Sequence, residues 1–229
     1  FGIHEYTGEG RDDMVYHYCK TERDMFLKFL NYIEMQHPDI ISGWNSEFFD
    51  IPYIVNRMER ILGQEYVDRL SPLRNVYFRM RMGSFGREQK RYYFDGVANL
   101  DYLDVYKRFC LKLRESYKLD AIGELELGQK KIDYEGLALH ELADQDWNKF
   151  IDYNVQDVNL LVKLEEKLQY IPLLRMLSYV GLTTLEGAMG TIQVINGALC
   201  IRARKRGEII STFVRAEAEG KNPGAYVAE

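Results

Sequence analysis

Long apolar runs are missing from this 229-residue chain. None reaches the length needed to cross a membrane, and Phe1-Gly2-Ile3-His4-Glu5 lacks the basic-then-apolar order of a signal peptide. Cysteine is scarce: Cys19, Cys110 and Cys200 are odd in number, far apart and not near a histidine at metal-ligand spacing. That argues against a disulfide scaffold or a zinc site and fits thiols in a reducing compartment. The four histidines are scattered, and none is assigned to a site. A positive surplus is absent too, with 30 Lys and Arg against 35 Asp and Glu, a net charge of −5. No global basic field draws this chain to nucleic acid, so any contact with DNA must come from local patches or through metal ions. These absences predict a soluble, cytoplasmic chain with no membrane partner.

A hydrophobic content of 46% is ample for a proper core, as one large domain or as a domain with an appendage. Residues 1 to 13 read as a polar loop, and Met14 to Cys19 as a short strand. Thr21 is placed to cap a helix that buries Met25, Phe26, Phe29, Leu30 and Ile33 and ends at His37-Pro38. Asp39 to Gly43 is the next strand. Val76 to Met82 and Lys90 to Phe94, joined by the glycine-containing 83 to 87, read as a β-hairpin. Its polar positions are mostly basic, including Arg79, Arg81, Arg87 and Arg91. They are candidate nucleic-acid contacts, or residues that discourage edge pairing.

Further strands and helices are expected at Val97 to Leu100, Asp101 to Phe109, Leu119 to Leu127, and from about Asp146 to Tyr170. After Pro172 the pattern is helical, with Leu185, Met189, Ile192, Ile195 and Leu199 at helical spacing. The polar 216 to 225 stretch reads as a linker.

Two carboxylates stand out. Ile40 to Tyr53 runs from an apolar strand through a turn into an amphipathic helix, with Asn45, Phe49 and Asp50 around the turn and Pro52 just after it. Strand-to-helix junctions of this kind lie where α/β sheets build their sites, although Asp50 could equally serve as a helix cap. On the long helix, Tyr153 and Asp157 lie one turn apart, nearly opposite the apolar stripe Ile151, Val155, Val158 and Val162, while Leu160 and Leu164 continue their own face. This pattern predicts a helix buried on both sides, with Tyr153 and Asp157 pointing into a walled cleft.

Together, N-x3-F-D at Asn45, Phe49 and Asp50 and Y-x3-D at Tyr153 and Asp157 resemble the second and third exonuclease motifs of family B DNA polymerases. The resemblance covers essentially the whole chain. It is strongest to the T-even-like bacteriophage type, through Gly43-Trp44-Asn45, Arg69-Leu70-Ser71-Pro72, Leu100 to Lys107 and Ser116 to Asp120. The resemblance implies an α/β, ribonuclease-H-like 3′-to-5′ proofreading exonuclease domain over residues 1–170. Residues 171–229 would form a helical segment and linker toward a polymerase palm, entered near Pro223-Gly224-Ala225-Tyr226.

It further implies that Asp50 and Asp157 hold two Mg²⁺ or Mn²⁺ ions together with other acids. Tyr153 would orient the water or the scissile phosphate, Lys131 would contact the phosphate, and Asn45, Phe49 and the hairpin would meet DNA. Implied partners are single-stranded and primer-template DNA, the remaining polymerase segments or a complementary polymerase chain, and a sliding clamp reached through parts outside this chain. The setting would be a host-cell cytoplasm if the source is viral.

The family's first motif, D-x-E on an early strand, is absent; Asp133-Tyr134-Glu135 falls after Asp50, in a turn region, and is read as chance. Two acids rarely suffice for two hard cations. The chain alone is therefore expected to be nearly inactive, as a fragment or as one polypeptide of a split polymerase. Alternatives are a free-standing exonuclease acting on RNA or short oligonucleotides, and a catalytically silent structural or DNA-binding module.

Overall fold

The computed structural model describes residues 1–8, 14–82, 88–128 and 139–210. Thr21 accepts the Asp24 N–H at 3.1 Å and opens α1 (Glu22–Gln36), which ends at His37 in a left-handed conformation. Phe26 and Leu30, four residues apart, lie on one face of α1 and enter the core. β1 (Ile40–Gly43) leads into α2 (Asp50–Leu62), whose Ile51, Val55, Met58 and Leu62 join the same cluster. The short α3 (Gln64–Val67) and a 3-10 turn at Asp68–Leu70 close that side.

β2 (Val76–Met82) and β3 (Glu88–Phe94) pair antiparallel, from Val76 opposite Phe94 to Met82 opposite Glu88. Their base sends Tyr92 and Phe94 into the first core cluster. β4 (Ala98–Asp101) then lies parallel to β1, with Gly43 opposite Asp101. A parallel pair needs a long crossover, supplied here by everything from α2 to β3.

α4 (Tyr102–Phe109) follows without a loop, capped by Asp101, which accepts the Leu103 N–H at 2.9 Å. The β4–α4 unit feeds two further cores. Leu100 and Val105 pack with Leu174 and Ala188, whereas Tyr102 and Tyr106 pack with Ile122 and Leu164. α5 (Leu119–Leu127), α6 (Leu139–Gln145) and α7 (Trp147–Leu168) come next, the last capped by Asp146. The chain continues through α8 (Tyr170–Gly181), α9 (Leu185–Ala188) and α10 (Thr191–Lys205). The architecture is mixed α/β, with two two-stranded sheets among the described residues.

Four expectations are corrected. Met14 to Cys19 makes only an isolated bridge, Tyr18 to Gly2, instead of a strand. Asp50 is the first residue of α2 and not its cap; the cap position belongs to Phe49, which offers no side-chain hydrogen bond. The stripe from Leu185 to Leu199 is broken at Met189-Gly190, and Ile192, Ile195 and Leu199 are exposed. Glycine decides which face of α10 packs, because a Cβ on Gly197 would stand 1.6 Å from the Gly181 carbonyl oxygen. Finally, α7 is buried fully on one face only among the described residues: Tyr153, Leu160 and Leu164 are buried, whereas on the predicted apolar stripe Ile151 and Val155 are half-buried and Val158 and Val162 are exposed.

Candidate active site

Gly43 sits opposite Asp101 in the parallel register, so the Asp101 carboxylate stands at the carboxyl ends of both strands. It organises the turn after β1. One oxygen accepts the Asn45 N–H at 3.0 Å and the Leu103 N–H at 2.9 Å, and the other accepts the Glu47 N–H at 3.0 Å. Asn45 adopts a left-handed φ of 64°, which asparagine tolerates better than most residues. The turn is tight at its start, since a Cβ on Gly43 would lie 2.8 Å from Ser46 Cβ. The Ser46 carbonyl oxygen then accepts the Ile51 N–H at 2.9 Å and joins the turn to α2. Asp50 emerges exposed at the positive end of α2, beside a Phe49 ring that is 70% exposed.

Carboxylates crowd this corner. Although Asp50 reaches solvent, the protein packed around its carboxylate partly desolvates it and raises its pKa, and the Asp101 charge raises it further. Asp101 is itself raised by burial, with Asp104 adding to the effect against its three N–H donors. Glu47 is only 1% exposed, and its pKa too is raised by burial, against the pull of Arg91 at 2.9 Å.

Tyr153 and Asp157 share the packed face of α7, Tyr153 buried and Asp157 half-buried. That face is fixed by Leu160 against Gly123, where a Cβ would meet Leu160 Cδ2 at 2.8 Å. The predicted walled cleft is therefore a packed helix face at Tyr153. Both acid-bearing elements are fastened to the β4–α4 unit. The Asp50 turn is held by Asp101, and α7 by the Tyr102 hydroxyl, which donates to Glu165 at 2.6 Å.

On the β2–β3 pair, Arg79 is exposed and lies over the rings of Tyr77 and Tyr93 at 5.6 and 5.5 Å. Arg81 is exposed as well, 3.8 Å from Glu47. Arg91 differs: its side chain is 15% exposed and is committed to Glu47. Arg87 and Lys131 lie outside the described residues, as do Asp133 to Glu135 and the linker at 216 to 225. Among the described residues, no group of three or more His, Cys, Asp or Glu side chains is arranged to hold a metal ion.

Sequence reasoning missed Asp101 and Glu47 as organisers of this corner. Asp101 carried a weak signal, an acid directly before a helix; Glu47 carried none.

The family model for "DNA polymerase family B, exonuclease domain" matches residues 5–122. The chain is 31% identical over 228 residues to the DNA-directed DNA polymerase of Enterobacteria phage T4, and 30% identical over 228 residues to that of Escherichia phage RB69. Each alignment covers all of this chain and 25% of the relative. The DNA polymerase delta catalytic subunit of Oryza sativa subsp. japonica is 27% identical over 226 residues, covering 91% of this chain and 20% of the subunit. The chain thus spans about a quarter of the length of its phage relatives.

Proposed function

The chain belongs to the exonuclease domain family of the family B DNA polymerases, and from that premise we propose that it forms part of the 3′-to-5′ proofreading exonuclease of a DNA-directed DNA polymerase. Its substrates would be mispaired primer termini on single-stranded and primer-template DNA. The observation that carries this reading is Asp50, held exposed at the carboxyl end of β1 by the Asp101-gripped turn, with Phe49 open beside it. The parallel β1–β4 pair supports a ribonuclease-H-like fold over residues 1–170, and β2–β3 fits the family's hairpin. Residues 171–229 would lead toward the polymerase palm, and a sliding clamp would be reached through other segments.

The donor set suits hard divalent cations. The Asp101 charge beside Asp50 is a repulsion that a bound cation would offset. Asp50 and Asp157 would hold Mg²⁺ or Mn²⁺, with further acids needed from outside the described residues. Such ions supply Lewis-acid stabilisation of phosphate charge and a water of lowered pKa. Within the chain, Phe49 offers its ring to the terminal base, Asn45 shapes the turn that meets DNA, and the Tyr153 hydroxyl orients the attacked phosphate or the water. Lys131 neutralises the phosphate. Arg79, Arg81 and Arg87 meet the strand, while Arg91 holds Glu47 in place.

Crystals soaked in Mn²⁺ test the proposal. A metal ion between Asp50 and Asp157 is expected. An Arg or Lys salt-bridged to either acid, with no metal bound, would instead favour a silent structural module.

A further inference from the structure

Two buried side chains carry hydrogen-bonding capacity that the described residues leave unfilled, and both line one cavity. Asn99 on β4 is 4% exposed, and neither its Oδ1 nor its Nδ2 is hydrogen-bonded among the described residues. Glu47 Oε1 is unbonded in the same sense, with Arg81 Nη1 at 3.8 Å. Both residues line a cavity of about 480 Å³ between β4, the base of β2–β3, the start of α4 and the α9–α10 junction. Three buried polar atoms without a protein partner among the described residues would cost roughly 1–3 kcal/mol each if left unmet, which favours an occupant that answers them.

The unfilled set is two acceptor oxygens, Glu47 Oε1 and Asn99 Oδ1, and one donor group, the Asn99 Nδ2 amide. A complementary occupant presents two N–H donors beside one acceptor. Among the DNA bases, the Watson–Crick edge of guanine does so, with N1–H, the N2 amino group and O6. Thymine offers one donor there, and adenine and cytosine one amino group beside acceptors.

The volume lies in the range of small-ligand sites. Arg81, exposed and only loosely paired with Glu47, stands where it can meet a phosphate, and Arg91 holds the Glu47 carboxylate in place from the other side. A neighbouring cleft of about 460 Å³ shares Asn99, Arg91 and Glu186 with this cavity. The cleft is lined by Tyr77 and Tyr93, whose rings stack on each other at 5.3 Å with Arg79 over both, an aromatic and basic surface suited to the following nucleotide.

We propose that this cavity binds a guanine nucleotide, its base on Glu47 and Asn99 and its phosphate toward Arg81. The nucleotide is either free or one unit of a single strand. The site shares no residue with Asp50, Tyr153 or Asp157 and stands whether or not those residues bind metal.

Calorimetric titration of the full chain with dGMP, dAMP, dCMP and dTMP tests it. dGMP is expected to bind about tenfold or more tighter than dTMP. Asn99→Leu is expected to remove that preference while keeping or raising Tm, because it deletes unsatisfied groups. Arg81→Ala should weaken dGMP but leave guanosine unchanged. Titration with the trinucleotides d(GGG) and d(TTT) distinguishes the sources: d(GGG) binding tighter than dGMP assigns a strand, and equal binding a free nucleotide. Absence of dGMP binding, equal affinity for the four nucleotides, or an unchanged preference in Asn99→Leu overturns the proposal. Loss of guanine preference in Asp50→Ala also overturns it, by moving the site to the acids. Failure of the Mn²⁺ experiment leaves all these readouts in place.

Discussion

At the scale of single residues, Asp101 holds the β1–α2 turn through three backbone N–H groups, all on one carboxylate that is 4% exposed. An amide in its place keeps one acceptor oxygen and turns an NH2 toward a backbone donor. Asp101→Asn is therefore expected to cost about 2–4 kcal/mol in urea unfolding, and to weaken Mn²⁺ binding at Asp50 by displacing the turn. Glu34 gives a pH-dependent counterpart. Its carboxyl is held down to about 2, first by the hydrogen bond from Arg69, with Arg74 adding its charge. A depressed folded pKa stabilises above the unfolded value of about 4.5, and the gain is lost as pH falls toward 2. Glu34→Gln should thus lower stability at neutral pH by about 1 kcal/mol, discounted for partial exposure, with the difference from the parent protein closing by about pH 2. Neither arrangement was legible beforehand. Two of the three N–H groups that Asp101 serves are 54 and 56 positions away, and Arg69 is 35 from Glu34, so no local pattern records these links.

Whole elements were easier to read than their orientation. α1 begins at the predicted cap and α5 spans the predicted residues, because capping and periodicity are local properties. Which stripe of a helix faces inward is decided by its neighbours. In α10 the more apolar stripe lies outside, because the Gly181–Gly197 contact lets α8 and α10 approach only on the other side. Gly197→Ala places a methyl group on the Gly181 carbonyl, and since both partners are helix backbone, little can yield. The expected loss is about 1–3 kcal/mol or more in denaturant unfolding, whereas Ile192→Ser on the exposed stripe should stay within about 0.5 kcal/mol. Equal losses for the two substitutions would show that the glycine contact does not set the face. The same logic limited the reading of α7, where periodicity suggested two buried faces and the second is only half-covered at Ile151 and Val155 and open at Val158 and Val162 among the described residues.

For the molecule as a whole, what matters is that β1 pairs on one side only among the described residues. An unpaired strand edge next to Asp50 is a template for another strand, and antiparallel or parallel addition there would bring alternate side chains to the carboxyl end of β1. The motif vocabulary named Asp50 and Asp157 from sequence, but among the described residues no group of three or more acids, histidines or cysteines is arranged to hold a metal ion. Divalent-metal phosphodiester hydrolysis needs more carboxylate than that. The expected outcome is that the chain alone degrades single-stranded DNA negligibly in Mg²⁺. A second polypeptide carrying a D-x-E strand should raise that rate, and Asp50→Ala should abolish the gain. Robust degradation by the isolated chain, lost in Asp50→Ala, would mean instead that the acids needed are already within its 229 residues, and the open edge of β1 would then require another explanation.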